Sequence, residues 1–121
     1  MIQLFLHLLG DFFLQNDWMA VNKSKYNKLG WLTCSLHCLL YSIPFGLYYH
    51  SWPVFLLILL SHFLVDKFSI AKYITRFVNW NWKTDLGFSE DRPPFLTVWI
   101  HIIRDNSIHI AGNYLIIQHF L

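Results

Sequence analysis

The sequence predicts an all-α, polytopic membrane protein with four transmembrane helices and a basic amphipathic helix in the membrane interface between the third and the fourth. The composition predicts this class, because 55% of the 121 residues are apolar and the mean hydropathy is +0.38. Only 13% of the residues are charged, whereas about 25% is typical of soluble domains. The length fits a single domain, residues 1–121, with four helices of the roughly 20 residues that cross a bilayer.

The four transmembrane helices are predicted from long apolar runs that end at basic or proline-containing segments. They cover approximately residues 1–20, 29–49, 52–66 and 94–120. Pro53 lies at the start of the third helix and Pro94 at the start of the fourth. Proline is typical of the first helical turn, because its missing N–H group would have no partner there.

The interfacial helix is predicted over about residues 67–82, where basic side chains alternate with aromatic and aliphatic ones. The basic residues are Lys67, Lys72 and Arg76, and the apolar residues include Phe68, Tyr73, Ile74, Phe77 and Trp80. A helix of this composition typically lies in the plane of the membrane, with its apolar face in the lipid and its basic face at the headgroups.

The distribution of lysine and arginine predicts the orientation in the membrane. Basic residues follow the first and third helices, at Lys23, Lys25, Lys28, Lys67, Lys72, Arg76, Lys83 and Arg92, and the short connection near 49–52 has none. By the positive-inside rule, both basic loops face the cytoplasm and both termini face outward. We therefore expect a multipass protein of the inner (cytoplasmic) membrane. Its expected partners are membrane lipid and further copies of the same chain in a homo-oligomer. The net charge of +2 is too small to predict nucleic-acid binding.

Polar side chains form a stripe along one face of each transmembrane helix. The stripes are Gln3, His7, Asp11 and Gln15; Thr33, His37 and Tyr41; His62 and Asp66; and His101, Asp105, His109 and Asn113. Residues four apart share a helical face. An ionised carboxylate that faces lipid costs roughly 2.5–3.5 kcal/mol even on the gentlest insertion scales. The stripes should therefore turn inward and form one buried cluster, open toward the cytoplasmic leaflet.

Two interpretations of this cluster remain open at the level of sequence. One is a network of His–Asp hydrogen bonds or a proton network that holds the helices in register, although such contacts contribute only about 0.6 kcal/mol each in membranes. The other is a metal centre with one or two ions of zinc, manganese or iron, the metals that suit imidazole together with carboxylate. The candidate ligands are His7, Asp11, His37, His62, Asp66, Asp105 and His109.

The motifs together resemble a family of small phage and bacterial integral-membrane proteins that is classed as a domain of unknown function. The resemblance lies in the opening HLLGDFFLQNDWMAVNKS at 7–24, in HFLVDK at 62–67, and in a D-x-x-x-H motif at 105–109. It spans nearly the whole chain and implies that the histidines and aspartates form one site. The H-x-x-x-D pairs are more distantly similar to those of predicted membrane-bound metal-dependent hydrolases.

The leading functional hypothesis is a membrane-embedded, metal-dependent hydrolase that acts on a lipid-linked phosphate or ester at the cytoplasmic leaflet. Asp11, Asp66 and Asp105 would be its catalytic carboxylates, because a metal-bound water becomes a nucleophile near neutral pH. Arg104, Lys67 and His101 would bind the substrate. Alternative roles are an ion pair with a stripe carboxylate for Arg104 and extension of the side chain to the interface for Lys67.

A non-enzymatic function is the alternative. The chain would then be a phage or defence membrane protein, either an oligomeric ion or proton conductor or an inhibitor that binds a host membrane partner. Its His/Asp cluster would be structural. The outer half of the third helix has no ionisable group, which argues against a path across the bilayer within one copy.

Overall fold

The computed structural model describes residues 1–121, and its only regular secondary structure is helical, which confirms the predicted all-α class. Helix α1 leads directly into a π-helical turn, and five more helices follow. The elements are α1 (Ile2–Leu8), the π-helical turn (Leu9–Phe13), α2 (Asp17–Asn22), α3 (Lys28–Tyr49), α4 (Trp52–Lys67), α5 (Ile70–Val78) and α6 (Pro94–Phe120).

The prediction of one continuous helix over residues 1–20 is wrong. The chain leaves the π-helical turn at Leu14 and starts a new helix, α2, after Asn16. The side chain of Asn16 accepts a hydrogen bond from the backbone N–H of Met19, at 2.9 Å, and caps this second helix. Asparagine is one of the preferred N-cap residues because its side chain satisfies a free backbone donor. A local capping signal therefore divides an apolar run that hydropathy alone would leave unbroken.

The amphipathic helix between α4 and α6 is shorter than the predicted 67–82, because α5 ends at Val78. The backbone turns at Trp80, where φ is +49°. The side-chain amide of Asn79 donates to the carbonyl of Gly87, so the segment after α5 folds back on the helix. Gly87 has φ of +77°, and a Cβ atom there would lie 2.7 Å from the Arg76 backbone, so the close approach requires glycine.

The N-terminal segment and the three longest helices form a ring in which each element packs against two neighbours. Helix α4 packs between α3 and α6, and α1 closes the ring against α3 and α6. Helix α2 packs on α3, and α5 packs on α4 and α6. The apolar core inside this ring is small and consists of Leu6, Tyr41, Phe45, Val54 and Ile58. Polar side chains occupy much of the rest of the interior.

Polar residues are concentrated inside the bundle and large apolar residues outside it. The 24 buried residues include 11 polar or charged side chains and 10 apolar ones. Many large apolar side chains are exposed, and Phe13, Trp52 and Trp80 are more than 70% exposed. Buried polar and charged side chains are thus far more frequent than in a typical globular core.

No individual helix has both the length and the apolarity of a full membrane crossing. Only α4 and α5 together meet those criteria, and they are bent by 56° where they join.

Candidate metal centre

Two histidines from neighbouring helices face each other at the centre of the bundle. His37 lies on α3 and His62 on α4, the two helices joined by the short turn at His50 and Ser51, and both side chains are fully buried. Their Nε2 atoms are 3.0 Å apart. The ring of Tyr41, one turn after His37, stacks on His62 with 3.7 Å between ring centroids. This packing fixes the imidazole of His62 in the orientation that directs Nε2 at His37.

The carboxylate of Asp11 completes a triangle with these two imidazoles. Its Oδ1 atom lies 3.3 Å from the Nε2 atoms of both His37 and His62. Asp11 belongs to the π-helical turn, a distortion that is frequent at functional sites because it redirects side chains. The three atoms are thus 3.0–3.3 Å from one another. Tetrahedral zinc with bonds of about 2.0–2.1 Å places its ligand atoms about 3.3 Å apart.

Asp66 borders the same two imidazoles and connects them to a third. Its Oδ2 atom lies 3.3 Å from His37 Nε2 and 3.5 Å from His62 Nε2. Its Oδ1 atom lies 3.0 Å from His109 Nε2, and Asp105 Oδ2 is 3.5 Å from the same nitrogen. A second group of candidate ligands, His62, Asp66 and His109, therefore adjoins the first and shares His62 with it.

Lys23 was not predicted as a site residue, but the structure places it at the cluster. Its Nζ atom donates a hydrogen bond of 2.6 Å to Asp66 Oδ2. Burial alone would lower the pKa of Lys23, but the attraction of Asp66 and the hydrogen bond to it outweigh burial and raise the pKa. In the sequence, Lys23 is one of three lysines that follow the first apolar run, and nothing there distinguishes it from Lys25.

His7 was predicted as a metal ligand, but the structure engages both of its ring nitrogens elsewhere. The amide of Asn113 donates to the hydroxyl of Tyr41 at 2.6 Å, and that hydroxyl donates to His7 Nδ1 at 2.7 Å. His7 Nε2 donates to Asn106 Oδ1 at 2.7 Å, because the amide nitrogen of Asn106 itself donates to the Ile102 carbonyl. Both ring nitrogens of His7 are therefore engaged by side chains outside the group of candidate ligands, and Nδ1 lies 3.6 Å from Asp11 Oδ2, too far for a hydrogen bond.

Of the three predicted substrate-binding residues, two have other partners. Lys67 is fully buried, and its Nζ atom donates to the backbone carbonyls of Lys23 and Lys25 at 3.3 and 2.6 Å. Arg104 donates to Thr75 Oγ1 at 2.9 Å, and the structure shows no ion pair between it and a carboxylate. His101 is half-buried, and its Nδ1 atom has no hydrogen-bond partner.

The cluster contains buried acceptors that the chain itself does not satisfy. Asp11 Oδ1 is buried without a hydrogen-bond partner, despite two imidazole nitrogens at 3.3 Å. The Nε2 atoms of His37 and His62 point at each other, and at most one of them can supply a proton to that contact. Buried carboxylates normally carry hydrogen bonds or bind metals. A cation bound by Asp11, His37 and His62 would satisfy all three atoms at once.

The comparison with protein families gives one result. The model of the family described as "Protein of unknown function (DUF3307)" matches residues 1–116. The match covers nearly all of the chain, so the protein belongs to this family. The searches of curated proteins and of solved structures gave no match.

Proposed function

We propose that this protein is a membrane-embedded, metal-dependent hydrolase that acts on a lipid-linked phosphate or ester at the cytoplasmic leaflet. The observation that carries the proposal is the triangle of Asp11 Oδ1, His37 Nε2 and His62 Nε2, with edges of 3.0–3.3 Å. Three protein ligands and one open position are typical of catalytic zinc sites. A bound ion of this kind polarises substrate oxygens and lowers the pKa of water to about 7.

The side chains around this triangle either offer ligands for a second ion or position the ligands of the first. Asp66 and His109, with Asp105 beside them, offer ligands for a second ion, and Asp105 is the most exposed of the three, at 28%. Tyr41 holds His62 in position by ring stacking and is itself held by its hydrogen bond to His7. Such outer contacts fix the orientation of ligands and are typical of metal sites.

The inverted distribution of side chains supports placement in the membrane. A polar interior with apolar side chains directed outward is favourable when the surrounding solvent is hydrocarbon. The two basic segments also meet at one end of the bundle, since Lys67 at the end of α4 donates to the backbone of Lys25. Both basic loops then lie on one side of the membrane, the cytoplasmic side. At that end Lys23, whose side chain is 21% exposed, borders the cluster.

Metal content tests the proposal. Protein purified in detergent without chelators should contain about one to two transition-metal ions per chain by elemental analysis. His62→Gln should lose most of the metal, because His62 belongs to both groups of candidate ligands. His119→Gln is the matched control, since His119 is exposed near the end of α6. A metal content far below one ion in the wild type, or equal content in both variants, would contradict the hydrolase.

A second candidate is the non-enzymatic membrane protein, an oligomeric ion or proton conductor or an inhibitor of a host membrane partner. The observation that favours it is the hydrogen-bonded chain from Asn113 through Tyr41 and His7 to Asn106. This chain extends the polar interior beyond the proposed ligands, as a structural network or a proton path would. Metal-free protein with unchanged folding would favour this candidate.

A further inference from the structure

The ammonium group of Lys23 pairs with the carboxylate oxygen for which a bound metal cation would compete. Its ammonium group lies 2.6 Å from Asp66 Oδ2, the oxygen that is also 3.3 Å from His37 Nε2 and 3.5 Å from His62 Nε2. A divalent ion at these nitrogens would compete with the ammonium for the carboxylate and repel it. Lys23 is therefore in direct electrostatic competition with the proposed metal.

The surrounding structure allows the side chain of Lys23 to move while its backbone stays in place. Lys67 is fully buried and donates to the carbonyls of Lys23 and Lys25, and its ammonium also lies 4.5 Å from the centre of the Trp31 ring. These contacts fix the backbone of the segment that carries Lys23. The side chain of Lys23 is 21% exposed and can rotate toward solvent.

The least buried members of the cluster indicate where a substrate would enter. The side chains of Asp11, Lys23 and Asp105 are 12%, 21% and 28% exposed, whereas His37, His62 and His109 are almost completely buried. Two of the three exposed side chains are carboxylates that metal would neutralise, and the third is the ammonium of Lys23. An entering anion would therefore find its positive partner in Lys23.

We propose that Lys23 is an internal counter-cation that a divalent metal displaces from Asp66, and that the displaced ammonium then binds a phosphate-type oxyanion of the substrate beside the metal. The inference rests on the proposed metal site and narrows its substrate from a phosphate or ester to a phosphate. It also couples the two binding events, because metal loading creates the free ammonium.

The first test uses wild-type protein and measures the reactivity of lysine amines toward an acylating reagent by mass spectrometry. Without metal, Lys23 should react slowly because it is paired with Asp66, and zinc alone should raise its reactivity by about tenfold. Lys25 is the internal reference, since it is exposed and its ammonium donates to Asn22 Oδ1 and has no carboxylate partner. No zinc binding would contradict the proposed function itself. Zinc binding with unchanged Lys23 reactivity would leave the metal site in place and overturn the displacement.

The second test identifies the oxyanion in zinc-loaded protein. Inorganic phosphate in one sample, and phosphatidic acid in micelles of a phosphate-free detergent in another, should lower the reactivity of Lys23 again if they bind it. A response to phosphatidic acid alone indicates a lipid headgroup, and a response to both indicates the phosphate group itself. If neither lowers the reactivity, the oxyanion site is wrong.

The third test uses variants and zinc affinity. Lys23→Met and Lys23→Gln should each bind zinc about tenfold more tightly than the wild type, because they remove the competing charge. Gln keeps a hydrogen-bond donor for Asp66, so Lys23→Gln remains testable if Lys23→Met does not fold. Lys25→Met is the control and should match the wild type. Equal or weaker zinc binding by a folded Lys23 variant would overturn the proposal.

Discussion

Gly10 packs directly against the ring of Tyr41, so closely that a Cβ atom on residue 10 would collide with it. The same ring stacks on His62 and carries the hydroxyl that binds His7. The absence of a side chain at one position in the π-helical turn therefore determines the position of an aromatic ring. That ring in turn orients one of the two central imidazoles.

Gly10→Ala should destabilise the protein by about 1–3 kcal/mol, because the methyl group would force the Tyr41 ring out of place. Zinc binding should weaken as well, since Tyr41 orients His62. Gly112→Ala is the control, because its Cβ atom would meet only Ser61 Oγ at 3.2 Å, and that side chain can rotate. Thermal unfolding and zinc titration measure both effects. Equal zinc affinity in Gly10→Ala and the wild type would show that Tyr41 does not position the site.

Tyr41→Phe should lower the stability by about 1–3 kcal/mol. Removal of the hydroxyl leaves His7 Nδ1 without its donor and Asn113 Nδ2 without its acceptor, both in a buried location. Tyr48→Phe should change little, because Tyr48 is 53% exposed. Denaturant unfolding in detergent compares the two variants. Similar small losses would mean that the hydrogen-bonded chain contributes nothing to stability.

Metal removal should lower the thermal midpoint of the wild type. A ligand that binds only the native state at a concentration 100 times its dissociation constant stabilises the protein by about 2.7 kcal/mol. Addition of a chelator should remove this contribution, and zinc in excess should restore it. His62→Gln should show no response to the chelator, because it lacks a ligand common to both groups. A wild-type midpoint that is independent of chelator would contradict a structurally integrated metal.

The three aspartates should act together rather than independently. Asp11→Asn and Asp66→Asn should each abolish most zinc binding, and the double variant should lose little more, because residues that share one site are strongly non-additive. Asp105→Asn should have the smallest effect, since its carboxylate is the most exposed. Metal analysis and thermal midpoints of single and double variants measure this. Full metal retention in all three single variants would show that the cluster is a structural network and not a shared metal site.

The predicted membrane orientation can be tested by labelling introduced cysteines from outside the cell. A cysteine at position 50, in the exposed turn between α3 and α4, should react with an impermeant thiol reagent, and a cysteine at position 25 should not. The native Cys34 and Cys38 are fully buried and provide an unreactive background. Reaction at position 25 alone would reverse the orientation and place the cluster at the other leaflet.

The sequence by itself determined the helical class and which residue types would lie in the interior. His37, His62 and Asp66 could be selected because spacing by four residues places polar groups on one helical face, and because the predicted membrane placement makes such a face costly to expose to lipid. The structure brings these three together with Asp11, as the stripes indicated. The sequence also resembles a family of unknown function, and a family of that description matches residues 1–116.

Only the tertiary structure decided which members of the stripes meet and which contact other partners. Helical periodicity gives the face of a side chain but not its partner on another helix, so the engagement of His7 by Tyr41 and Asn106 was not predictable. Lys23 lies 43 residues from Asp66 in sequence, and its ion pair depends on how the segment after α2 folds against α4. The break in the first helix has a local cause at Asn16. The centre itself arises from packing between helices, which no single segment encodes.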